Sequence, residues 1–152
     1  MNNDAQVLAR IRSVLESDAD RGAKAERVAE LIRHSAAYRW VGLYIVEGDQ
    51  IIALGWSGPR PPAHLRFPLT QGLCGAAVLA RATQVVGDVS KDPRYLTTFG
   101  STRSEIIVPV LQLPTGAAVG LLDAESERLD AFSDDDRRFL EECAAALVSL
   151  FF

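Results

Sequence analysis

Apolar positions along this chain switch from helical spacing to alternation and back. Val7, Leu8, Ile11, Val14 and Leu15 recur at three- and four-residue intervals, predicting a helix from about Asp4 to Glu16. Ser17-Asp18-Ala19-Asp20 supplies cap chemistry for a second helix carrying Ala25, Val28, Ala29, Leu31 and Ile32. Together these helices occupy 4–37. A sheet core is expected over 38–125, opening with a strand that starts at Tyr38. Its β-branched and aromatic run, Trp40 to Val46, turns through Glu47-Gly48-Asp49 into Gln50–Leu54, a β-hairpin. Gly58-Pro59-Arg60-Pro61-Pro62 must be irregular, because proline donates nothing to a ladder.

A short strand around Leu65-Arg66-Phe67 precedes a glycine-led helix over Gln71–Ala80 and a brief strand at Val85-Val86. Gly87 to Arg103 reads as a long excursion, with a turn at Asp92-Pro93 and one helical turn near Tyr95-Leu96. Strands at Ser104–Leu111 and Ala117–Glu125 follow, joined by Pro114-Thr115-Gly116. Ser133 then caps a helix over 133–151, whose apolar stripe is Phe139, Leu140, Cys143, Leu147 and Leu150. This order predicts an α+β fold: an antiparallel sheet with helices packed mainly on one face.

Composition narrows the picture. The chain has 152 residues, 48 % hydrophobic and 24 % charged, and is expected to form one domain over 1–152. Sixteen basic against twenty acidic residues leave a charge of −4, which argues against nucleic-acid or anionic-membrane partners. Two cysteines, Cys74 and Cys143, cannot build a disulfide framework or a zinc finger by themselves. No signal-like segment opens the chain and no apolar run nears the about 20 residues of a bilayer span, so a cytoplasmic protein is expected.

The candidate chemistry lies in two strands that carry acids inside apolar runs. Strand side chains alternate, so Asp123 and Glu125 point the same way, and Glu105 joins them if the register allows. Carboxylates gathered on one face repel one another and resist burial, so they call for a cation or a proton. A protonated amine suits them, because its donors match their acceptors. The plain alternative is a solvated strand end, which applies most to Glu125. Trp40 and Tyr44 share a strand face with Gly42 between them. They form either core packing or an aromatic wall, with Gly42 leaving a recess. Cys74 sits at a helix start, where the dipole can lower a thiol pKa, though structural packing explains it too. No metal and no cofactor are expected: three acids at β-sheet spacing, with no histidine, suit a hard cation poorly.

Trp40-Val41-Gly42-Leu43-Tyr44, Gly72-Leu73-Cys74-Gly75, Ser104-Glu105-Ile106-Ile107-Val108-Pro109 and Gly120-Leu121-Leu122-Asp123-Ala124-Glu125-Ser126 occur in one order, followed by Phe132-Ser133. This set resembles a GAF domain and, more narrowly, the free methionine-(R)-sulfoxide reductases, which are stand-alone GAF proteins. The resemblance implies a ligand cavity on the sheet face opposite the main helices. In it Trp40 and Tyr44 would hold a side chain, and Glu105, Asp123 and Glu125 an ammonium. It also exposes two departures. The family's loop cysteine, seven residues before the glutamate, falls at Thr98 here, and its resolving cysteine falls at His64. Only the Cys74 position is retained.

Three functions follow as expectations. The first is a GAF domain that binds a free amino acid or similar amine, of the methionine or methionine sulfoxide kind. The second is a reductase variant working through Cys74 and an external thiol. The third is a non-binding module whose terminal helices pair into a homodimer.

Overall fold

The computed structural model describes residues 2–97 and 99–152. Two helices come first: α1, Asn3–Glu16, and α2, Arg21–Ser35. The expected cap is Asp20, whose carboxylate accepts from the Ala23 N–H at 2.8 Å. α2 ends before residue 37 because Ala37 turns into the left-handed region (φ 54°). The Tyr38 N–H then closes back on the Arg33 carbonyl at 3.1 Å, which ends the helix and delays the first strand to Trp40.

The strands are β1, Trp40–Glu47, β2, Gln50–Ser57, and β3, Arg66–Pro68. Helix α3, Gly72–Ala80, separates these from β4, Gln84–Val86, and then come β5, Ser104–Gln112, and β6, Ala117–Ser126. β2 runs beyond the expected end at Leu54, because a bulge opposite Leu43/Tyr44 re-phases it and pairing resumes at Gly55. A Cβ on Gly55 would lie 2.6 Å from the Glu26 nitrogen, so this glycine lets α2 lie directly on the sheet. The expected helical turn near Tyr95-Leu96 is absent. A 3-10 turn stands instead at Val89–Lys91, where the Asp88 carboxylate accepts from the Ser90 N–H, while the Asp92-Pro93 turn forms as expected. The last helix, α4, covers Asp134–Ala146. A tighter 3-10 turn, Val148–Phe151, replaces its expected final turn and tucks Leu150 and Phe151 into the core.

The six strands lie in the order β3-β2-β1-β6-β5-β4, each pair antiparallel. Alternation then builds two cores. Val41, Leu43, Ile45, Ile106, Val108, Val110, Leu122 and Ala124 face α1, α2 and α4. Trp40, Tyr44, Ile107 and Leu121 face the other way, beneath α3 and parts of the 87–103 excursion. The helices are thus mainly on one side, as expected, and α3 is the exception. Among the described residues no helix is long and apolar enough to cross a membrane.

Candidate functional site

Register decides which acids meet. β1, β6 and β5 are adjacent, with Trp40 opposite Glu125 and Glu125 opposite Glu105. One step along, Gly42 faces Asp123 and Asp123 faces Ile107. Glu105, Asp123 and Glu125 therefore project from neighbouring positions on the second face. Their exposures are only 4 %, 1 % and 0 %, and one oxygen of each lies within 4.8 Å of the others.

The three carboxyls are held differently. Glu125 accepts from the Thr102 hydroxyl at 2.8 Å. Carboxyl oxygens of Glu105 and Asp123 lie within 4.8 Å of each other, where the two can share a hydrogen, and one Asp123 oxygen, Oδ1, is buried with no hydrogen-bond partner. Among the described residues no ion pair includes Glu105 or Asp123. Burial drives the Glu105 carboxyl well above the ordinary carboxylate range; the charges of Asp123 and Glu125 and a hydrogen shared with Asp123 add to it. Asp123 is raised too, by burial and then by Glu125, but the hydrogen shared with Glu105 opposes the rise. The oxygens lie closer than sheet spacing suggested, close enough for a hard cation.

A cavity of about 20 Å³ adjoins this group, bounded by Tyr44, His64, Phe67, Cys74, Glu105 and Asp123 among others. It has room for about one water. Tyr44, Glu105, Asp123 and Cys74 thus border one cavity, whereas Trp40 and Glu125 do not border it. The recess expected at Gly42 is filled by the Trp40 indole, whose ring occupies the space a Gly42 Cβ would need. Trp40 is fully buried, donates from Nε1 to the Arg60 carbonyl at 3.0 Å, and packs on Phe99 with ring centres 5.5 Å apart. The aromatic wall is instead Tyr44 with Phe67, centroids 5.9 Å apart and edge to face.

Cys74 is buried, as its packing alternative has it. Its thiol is pushed up by burial first and then by Asp123, Glu105 and Glu125, which outweigh the helix start. Sequence reasoning left Phe67, Leu96 and Phe99 unassigned. The available signal was an isolated aromatic: Phe67 between Arg66 and Pro68, and Phe99 in an otherwise polar stretch. Thr98, which occupies the family's loop-cysteine position, lies outside the described residues.

A curled antiparallel sheet with helices on one side and a covered acid cluster on the other is the pattern the sequence motifs suggested. The family model for the GAF domain matches residues 20–150. The chain belongs to the GAF domain family. Among solved structures, a free methionine-R-sulfoxide reductase from Neisseria meningitidis in complex with its substrate is 34 % identical. That alignment covers 97 % of this chain and 87 % of that one, with a TM-score of 0.86. GAF domain-containing protein A of Dictyostelium discoideum is 28 % identical over 137 residues, covering 90 % of this chain and 84 % of its own length. Free methionine-R-sulfoxide reductase of Saccharomyces cerevisiae is 32 % identical over 108 residues, covering 69 % of this GAF chain and 58 % of the yeast protein.

Proposed function

We propose that this GAF domain binds a free amino acid of the methionine or methionine sulfoxide kind. In this reading the ammonium group meets Glu105 and Asp123, Glu125 adds its charge from behind, and the side chain lies against Tyr44 and Phe67. One observation carries it: the buried Asp123 Oδ1 has no hydrogen-bond partner and belongs to a residue that borders a cavity. An uncompensated buried acceptor is costly, and a charged donor supplies what it lacks. The likeness to a reductase crystallised with its substrate supports the ligand class. Trp40 serves by filling the space over Gly42 and bracing Phe99, rather than by touching the ligand. Because the cavity holds about one water, entry requires the covering segments to part.

Calorimetric titration tests the reading, with L-methionine, both L-methionine sulfoxide epimers and the corresponding des-amino acids. Binding is expected for the amines, with Asp123→Asn weakening it about tenfold or more, the scale of a charge-assisted hydrogen bond. Equal affinity for the des-amino acids would overturn it.

A second reading rests on Cys74, which borders the same cavity. Its sulfur would attack a bound methionine sulfoxide, releasing methionine and leaving a sulfenic acid on Cys74. One external thiol would then form a mixed disulfide with loss of water, and a second would restore Cys74 as the external disulfide leaves.

A further inference from the structure

We propose that the empty pocket keeps one proton between Glu105 and Asp123 and releases it when a cationic amine enters. The inference rests on the amine reading above and adds a coupling to it. Two carboxylates offer each other only acceptors, so a pair this close and this enclosed escapes mutual repulsion only if one of them carries a hydrogen. Both are almost wholly enclosed, at 4 % and 1 % exposure, and Glu125 at 0 % holds a third carboxyl oxygen within 4.8 Å. Like charges packed this closely in a dry site cannot all ionise without a counter-charge. The proton supplies that counter-charge in the empty protein, and the open Asp123 Oδ1 marks where a stronger donor fits.

The exchange balances. An incoming –NH3⁺ brings one positive charge, and Glu105 passes from –CO2H to –CO2⁻ as its proton leaves to solvent. The summed charge of the acid cluster and the ammonium is unchanged, so the ammonium takes the place of the proton among the acids, with the amino acid's own carboxylate outside that count. Other titratable groups face the pair from each neighbouring element: Tyr44 on β1, His64 before β3, Cys74 on α3 and Glu125 on β6. Burial pushes Tyr44 and Cys74 up, so both stay neutral near neutral pH. Glu125 contributes a carboxyl held by Thr102, and His64 borders the same cavity.

Linkage turns this exchange into a measurable slope. Affinity for the amine rises with pH by up to about tenfold per unit while Glu105 is protonated in the empty protein and ionised in the complex. The experiment titrates the full chain with L-methionine and L-methionine-R-sulfoxide near pH 7, in buffers of low and high ionisation enthalpy. The dependence of observed heat on buffer gives the protons released, and close to one per ligand is expected. Glu105→Gln should bind with no release and a flat pH profile, whereas His64→Gln should still release its proton. Infrared spectra of the empty protein should show the carbonyl stretch of a protonated carboxyl, lost in Glu105→Gln, which needs no ligand. Binding without proton release overturns the inference and leaves the amine reading standing. So does a release abolished by His64→Gln but not by Glu105→Gln, or an infrared spectrum lacking that band. Absence of any binding overturns the amine reading and the proton exchange with it.

Discussion

Glu105 is a carboxyl with hardly any water around it, facing two further carboxyls across β5 and β6. Its protonation ties the stability of the empty protein to pH, and the sign follows from counting protons. Unfolded, the side chain ionises near the ordinary value of 4.5; folded, it holds its proton well above that. Between the two, the folded state binds more protons than the unfolded one, so stability falls as pH rises. Unfolding by denaturant should therefore show the wild type losing stability from about pH 5 upward, at no more than about 1.4 kcal/mol per pH unit for each such group. Glu105→Gln should flatten that decline. A wild-type protein whose stability rises over the same interval would contradict the protonated pair. Cys74 follows the same physics: a helix start favours a thiolate, but enclosure beside three acids favours the thiol more.

At the scale of elements, α4 shows how one residue can serve two structures. Ser133 accepts from the Asp136 N–H at 3.1 Å, and the Asp136 carboxylate accepts in return from the Ser133 N–H at 2.8 Å, a reciprocal cap. The other Asp136 oxygen accepts from the Tyr38 hydroxyl at 2.8 Å, which ties α4 to the segment entering β1. Ser133→Ala removes part of the cap and should cost about 1 kcal/mol. Asp136→Ala removes the cap and also leaves a buried hydroxyl without its acceptor, so it should cost about 1–2 kcal/mol more. Denaturation of both variants checks this, and in a Tyr38→Phe background the excess should disappear. Equal costs in the Tyr38 background would mean that the link between α4 and Tyr38 contributes nothing. The bulge in β2 is a second element-scale device: it leaves Gly55 beneath α2, where any side chain would strike the helix backbone.

Over the whole molecule, the sheet divides labour between its faces. One buries three helices, and the other holds the acids, the aromatic wall and Cys74 under α3 and the excursion. Arg60 sits over the Phe99 ring at 5.9 Å and Phe99 packs on Trp40, so the two covering segments are clasped together above the sheet. Binding and turnover separate at this scale, since a pocket can hold methionine sulfoxide without reducing it. A Cys74 kept as thiol is a poor nucleophile. With free methionine-R-sulfoxide and dithiothreitol at neutral pH, the binding reading expects wild type and Cys74→Ser to give the same background rate. Turnover that depends on Cys74 would make the second reading the function.

The chain's own pattern determined most of the architecture. Periodicity and turn residues located the helices, the β1–β2 hairpin and the paired strands β5 and β6, because those signals act over a few residues. Alternation also determined that Asp123 and Glu125 share a face. Tertiary structure alone decided what those residues meet. Register between β5 and β6 put Glu105 opposite Glu125 and diagonal to Asp123, and a bulge carried β2 to Ser57. The Trp40 ring took the space over Gly42, while Phe67 and Phe99 arrived from distant segments. Whether a carboxyl is charged or a thiol is reactive was likewise decided only there. Both depend on how much water and which charges lie within a few ångströms, and those neighbours come from parts of the chain far apart in sequence.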